Sequence, residues 1–252
     1  MSAGHSHPLH RPGDTPVHRL PAQVKIVAAI ATALCVVSTP RDQYWAFGLY
    51  LVLLSAIWVV ARIPPGWLAK RALIEAPFVV LTFVLPFIAG GPEVHVLGVA
   101  VSEHGLLTGW NILVKGTLGV LTSLTLAATT SPGELIVGLQ RLRVPTMVVT
   151  IATLMLRYLE VIAAEARRMR LARISRGHDP RFLWQAGATA RGVGTLFIRS
   201  YERGERVHLA MVSRGWVGAM PDHSTPARGI AWLSGLALPG LAAVVLGVAL
   251  WP

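Results

Sequence analysis

The chain has 252 residues, 53% of them apolar and only 14% charged, with a positive mean hydropathy and a formal net charge of +11. A soluble domain of this size carries nearly twice that charged fraction, so the composition excludes an ordinary water-soluble globule and points to an integral helical membrane protein. Of the 23 Lys and Arg, 15 fall between Ser131 and Arg228, beside apolar runs. The charge is therefore read as that of cytoplasmic membrane-flanking segments, and no nucleic-acid partner is expected.

Residues 1–23 form a polar tail rich in Pro and His (His5, His7, His10 and His18). It is read as disordered or lying on the surface, and as a tail rather than a metal site because nothing in it fixes a coordination geometry. The first 25 residues lack the apolar core of a signal peptide, so no cleavage is expected there. Cys35 stands alone in an apolar run, which leaves neither a disulfide framework nor a cysteine metal site.

Uncharged runs of the length that crosses ~30 Å of hydrocarbon then follow. Span one covers about Val24 to Thr39, with Lys25 snorkelling at its start. Span two covers about Gln43 to Ala61, with Tyr44, Trp45 and Trp58 at belt positions. Arg62-Ile-Pro-Pro-Gly66 breaks the helix, and Lys70 and Arg71 follow. Span three covers about Ala76 to Ala89, with Pro77 and Pro86 bounding or kinking it. Gly90 to Gly109 has no Lys or Arg and is read as an outward solvated loop, although Glu93, His95, Glu103 and His104 are metal-capable residue types. Span four covers about Trp110 to Thr130. Lys115 is the only charge read well inside a run, and its cost there requires it to face protein, water or an interface. These four spans put the N-terminus and the Arg62–Arg71 loop on the cytoplasmic side, where the basic block also emerges.

Ser131-Pro-Gly-Glu134 opens that block as a capping box with Pro at the first helical position. Val144-Pro145 opens an uncharged run of only 13 residues, Val144 to Leu156, ended by Arg157, short for a span and read as a buried or interfacial cytoplasmic helix. From Pro145 to Arg176 no Pro or Gly interrupts, which predicts a helix about 48 Å long at ~1.5 Å per residue. Gly177-His-Asp-Pro180 stops it. A second long helix is predicted from about Phe182 to Arg214, and Gly215 caps it. Residues 229–252 supply a fifth span and leave the C-terminus outside. The expected fold is an all-α polytopic membrane protein with about five transmembrane helices plus long cytoplasmic helices.

Arg168-Met-Arg-Leu-Ala-Arg-Ile-Ser-Arg-Gly177 and Arg206-Val-His-Leu-Ala-Met-Val-Ser-Arg-Gly215 share the pattern R-x-x-L-A-x-[I/V]-S-R-G at an offset of 38 residues. Arg-Gly alone is good capping chemistry, because glycine takes the left-handed position and the cation meets the negative end of the helix dipole. The dipeptide occurs five times, so by itself it means little. Capping does not require the other matches, including Ser175 and Ser213. Two helices with the same tip look like two plugs for two equivalent sockets. The planar fork of arginine suits a socket lined by carboxylates.

Twin helices ending in an X-Arg-X tip resemble the transmembrane T component of energy-coupling factor (ECF) transporters, the CbiQ/EcfT family. Ser175-Arg176-Gly177 and Ser213-Arg214-Gly215 match its two signature sites in residue type. Ser131-Pro-Gly-Glu134 with Leu135 to Pro145 resembles its first coupling helix. The resemblance covers about Pro21 to Trp251. It implies that Arg176, Arg214, Ser175, Ser213, Gly177 and Gly215 contact two ABC-type ATPase subunits, and that a membrane substrate-binding subunit completes the complex. It also implies a multi-pass protein of the cell inner membrane, with residues 24–130 as a four-helix membrane region and 131–228 as a cytoplasmic coupling-helix domain.

Pro77-Phe-Val-Val-Leu-Thr-Phe-Val-Leu-Pro-Phe87 with Gly90-Gly91, and Val101-Ser-Glu-His-Gly-Leu106, are similar to the cobalt-type branch. That similarity implies cobalt ion uptake feeding cobalamin biosynthesis; nickel, biotin or another vitamin would need only a different partner subunit. No phosphate loop, H-E-x-x-H or G-x-S-x-G motif is present, so no catalytic residue, metal site or cofactor is expected and ATP hydrolysis is assigned to the partners. A self-sufficient channel or carrier would call for polar groups lining the spans, and only Lys115 stands there.

Overall fold

The computed structural model describes residues 9–88, 90, 93–96, 99–177, 187–218 and 229–251. The chain divides into two compact units. One comprises Met1–Gly138 with Ser224–Pro252, and the other Leu139–His223.

The first unit is a helical bundle. Its elements are α1 (Pro16–Arg19), α2 (Ala22–Ser38), α3 (Tyr44–Ala61), α4 (Pro65–Ala72), a 3-10 turn (Leu73–Glu75), α5 (Ala76–Ile88), α6 (Glu103–Thr129), most of α7 (Pro132–Arg141) and α10 (Gly229–Leu250). Helices α3, α6, α10 and the run Pro65–Ile88 are long and apolar enough to cross a membrane, whereas α2 has 17 residues. Large apolar side chains line the outside, among them Val59, Phe83, Ile88 and Leu233, each at least 70% exposed. Such a surface suits hydrocarbon and not water. The fold is all-α and polytopic as expected, with one small addition. Where an unstructured outward loop was expected, strands β1 (Glu93–Val96) and β2 (Val99–Ser102) pair antiparallel, and α6 starts seven residues before Trp110.

Lipid tails are as apolar as leucine, so helices in a membrane associate through close packing and internal hydrogen bonds rather than through escape from water. The bundle core shows both. Tyr50, Leu54, Val36, Leu118 and Ala242 are buried together. The Tyr50 hydroxyl lies 3.0 Å from Thr39 Oγ1, and Trp58 Nε1 donates to Thr125 Oγ1 at 2.8 Å. Thr122, Thr125 and Thr129 donate back to carbonyls four residues earlier, which leaves few free hydroxyls in the bundle. Helix α10 packs on α2 at Gly235, where an added Cβ would collide with Val24 Cγ1.

Two expectations about charged residues fail and one holds. Lys25 does not snorkel: it is 7% exposed, and its Nζ donates to His18 O at 2.9 Å and Thr129 O at 2.8 Å. Lys115 faces protein, donating to Val37 O at 2.7 Å near the end of α2. It is not the only charged residue type inside a span, because Glu75 lies within Pro65–Ile88 and is 4% exposed. The part of the N-terminal tail that is described is also ordered. Thr15 is buried and caps α1, and Arg11 N donates to Ala128 O at 3.0 Å. Lys25 explains this, since a buried ammonium needs acceptors and takes one from each segment. His5 and His7 lie outside the described residues.

Gly235→Ala should destabilise the unit by roughly 1–3 kcal/mol through overpacking. Gly247→Ala, where the added Cβ meets nothing within 4 Å, should be close to neutral. Thermal unfolding of the purified protein in detergent checks the contrast; equal midpoints for the two variants would show that the Gly235 contact does not matter.

Candidate functional site

Helix α7 opens with the reciprocal bonds of a capping box: Ser131 N donates to Glu134 Oε2 at 2.9 Å and Glu134 N to Ser131 Oγ at 3.3 Å. Its chain turns at Arg143 (φ 62°), and Pro145 leads directly into α8 (Thr146–Ser175). This 30-residue helix runs through its charged half without a break, close to the predicted limits. Helix α9 is described over Gly187–Val212; its expected start at Phe182, and residues 178–180 after the first tip, lie outside the described residues.

The two tips are built alike. Arg176 N donates to Arg173 O and Arg214 N to Met211 O, both at 3.1 Å. Gly177 N donates to Ile174 O and Gly215 N to Val212 O, both at 2.9 Å. Ser175 Oγ and Ser213 Oγ donate to Ala172 O and Ala210 O, both at 3.1 Å. Gly177 and Gly215 have φ of 79° and 81°, a region that costs an L-residue about 1–2 kcal/mol. Each serine hydroxyl takes up a carbonyl that the helix end leaves without an internal donor. Ser175, Arg176, Gly177, Ser213, Arg214 and Gly215 are all exposed. The Arg176 and Arg214 guanidinium groups form no hydrogen bond or ion pair with another described residue.

The helices behind the tips are antiparallel. An added Cβ at Gly192 would meet Arg173 Nη1 at 3.2 Å, and Arg199 Nη1 lies 2.7 Å from Glu165 Oε1. Further along, Leu154 and Tyr158 line one cavity with Met211 and Trp216. The tips therefore stand at opposite ends of the pair, roughly 30 Å apart along α8 at ~1.5 Å per residue. Glu165 fastens the pair at the middle, since its other oxygen accepts from Arg168 Nη2 at 2.6 Å. The bonds from Arg168 first, and then Arg199, hold its carboxyl below the usual carboxylate range.

The sequence reading did not single out Glu165. Its partner on α9 is 34 residues away, and no local spacing marks it. Trp216 was also passed over. Its N–H donates to Met211 O at 3.0 Å, completing a Schellman-type stop, and its ring meets His208 edge-on at 6.0 Å. An aromatic directly after Arg-Gly was the available signal. Among the described residues, no three His, Cys, Asp or Glu side chains gather as a metal site.

The family model described as cobalt transport protein, CbiQ, matches residues 13–226, which takes in both tips and the bundle up to α10. The chain belongs to the CbiQ family. It is 30% identical over 235 residues to the energy-coupling factor transporter transmembrane protein EcfT of Bacillus selenitireducens, covering 88% of this chain and 86% of that one. It is 28% identical over 196 residues to the cobalt transport protein CbiQ of Rhodobacter capsulatus, covering 77% and 78%. With EcfT of Acidaminococcus fermentans it shares 26% identity over 223 residues, covering 82% and 81%. This CbiQ-family chain is thus a multi-pass transmembrane component of a transporter.

The Glu165 bridge generates a pH prediction. Because its folded-state pKa is lowered, its contribution is fully present above the unfolded value and is lost as pH falls through the folded one. Spin labels replacing Leu171 and Val193 in a Cys35→Ser background should give a narrow distance distribution at pH 7 that broadens only once pH falls below the usual carboxylate range. Glu165→Gln should broaden it already at pH 7. A narrow distribution in that variant would mean that the bridge does not hold the helices.

Proposed function

We propose that this protein is the energy-coupling scaffold of an ECF-type ABC importer. Two cytoplasmic ATPase subunits grip it at Ser175-Arg176-Gly177 and Ser213-Arg214-Gly215, and a membrane substrate-binding subunit docks beside it. Nucleotide-driven movement of the ATPases displaces the two arginine tips, and α8 and α9 carry that displacement to the substrate-binding subunit. Residues 131–228 act as the cytoplasmic coupling domain. Residues 24–130 and 229–252 act as the membrane region in the cell inner membrane, with the N-terminus cytoplasmic and the C-terminus outside. The protein itself is not an enzyme.

The observation that carries this reading is the matched geometry of two exposed arginine tips whose guanidinium groups find no partner among the described residues. An arginine left exposed in a surface pair contributes roughly 0–1 kcal/mol, whereas losing one partner of a buried, desolvated pair costs roughly 2–5 kcal/mol. A tip that transmits force must therefore be received in a pocket. The transported substrate is the cobalt ion, feeding cobalamin biosynthesis; the description of the family model and the name of the Rhodobacter capsulatus relative support this. The EcfT names of the other relatives favour a second reading, a T component serving nickel, biotin or another vitamin through a different substrate-binding subunit.

Arg176→Ala or Arg214→Ala should lower uptake by the assembled complex roughly tenfold or more, consistent with loss of a buried charged contact. The amount of protein in the membrane should be unchanged. Labelled Co²⁺ uptake and co-purification of the ATPase subunits measure both. Full transport by the double variant would remove the mechanism.

A further inference from the structure

Two adjoining cavities in the first unit have complementary chemistry. The first, about 410 Å³, is polar and lies where the N-terminal segment crosses the end of α3; Arg11, Asp14, Thr15, His18, Ala61 and Arg62 line it. The guanidinium groups of Arg11 and Arg62 form no hydrogen bond or ion pair with another described residue. Asp14 does not offset them, because Arg19 occupies both its oxygens at 2.7 Å. The cavity is therefore cationic. Arg62 moreover holds φ at 54°, a left-handed conformation disfavoured for a residue with a Cβ. A strained backbone that presents a free guanidinium is a reason to look for what that group binds.

The second cavity, about 290 Å³, continues one turn deeper along α3. Ala28, Ala29, Ala56, Ala237 and Gly235 are among its lining residues, and their short side chains leave the space. Polar groups on its wall are already engaged. Lys25 Nζ is bound to two carbonyls, and Thr122, Thr125, Thr129 and Ser234 donate to their own helices. Apart from the third N–H of Lys25, these groups keep no free donor, so the largely apolar cleft suits hydrocarbon. Helix α1 borders both spaces, with Pro16 and His18 on the polar one and Val17 on the apolar one.

We propose that this unit holds one anionic phospholipid, its phosphate on Arg11 and Arg62 and an acyl chain in the cleft bordered by α2, α3, α6 and α10. A free phosphate shares the headgroup chemistry but leaves the apolar cleft unexplained. The order seen in the N-terminal segment is then part of a lipid site at the membrane surface, and this assignment stands whether or not the coupling reading holds.

The test is native mass spectrometry of the purified full chain titrated with dioleoyl phosphatidylglycerol or dioleoyl phosphatidylcholine, which share their acyl chains. One phosphatidylglycerol should be retained with about tenfold preference, as two cations near an anionic headgroup predict. Arg11→Gln combined with Arg62→Gly should bring the ratio near one. Glycine suits the backbone at position 62, so misfolding does not account for that loss. Ala29→Phe with Ala56→Phe should lower phosphatidylglycerol retention with both arginines in place. Equal retention of the two lipids, an unchanged ratio in the charge variant, or displacement by an equal concentration of glycerol 3-phosphate would overturn the proposal.

Discussion

A left-handed backbone at Gly177 and at Gly215 is the constraint from which the rest of the second unit follows. A helix that continued would bury each preceding arginine among the side chains of its next turn. By reversing the chain there, glycine makes the arginine the last side chain at the helix end, beside carbonyls that carry the negative end of the dipole. Two glutamates of these helices are committed elsewhere: Glu165 to Arg168 and Arg199, and Glu202 to Arg206 at 3.9 Å. Among the described residues, the two guanidinium groups are left with hydrogen-bond donors that meet no acceptor. That incomplete state is the physical content of calling them contacts for another molecule.

The antiparallel pairing of α8 and α9 gives this duplication a direction. In the proposed coupling role, identical tips at opposite ends of one pair address two separate neighbours rather than one neighbour twice. It also makes the placement of α8 decisive. By length and composition α8 qualifies as a membrane-crossing helix, as do four other stretches of the chain. Arg157 and Glu160 fall inside the apolar half that would have to cross, and six further charged residues follow before Gly177. Burying such groups in hydrocarbon is costly without partners, which favours a helix kept to one side of the bilayer.

Much of this was legible in the chain because it is local. A capping box is a four-residue pattern, and Ser131 and Glu134 form it as read. The end of α8 is set by Arg176 and Gly177, the end of α9 by Arg214 and Gly215, and the repeat between them is visible by inspection. What failed depended on distance. The burial of Lys25 requires carbonyls at His18 and Thr129, and the Lys115 contact requires that α2 end beside the middle of α6. Neither follows from composition, which is why a lysine at a helix start was read as snorkelling. Similarly, the hairpin at Glu93–Ser102 comes from cross-strand pairing that a short charged segment does not announce.

The central claim is that both tips face the same neighbour-bearing side of the membrane. Cysteines placed singly at Ser175 and Ser213 in a Cys35→Ser background, challenged with a membrane-impermeant maleimide in inverted and right-side-out vesicles, test it most directly. The account predicts that both positions label in inverted vesicles and are protected in right-side-out ones. Labelling of the two from opposite faces would make α8 a span and contradict it.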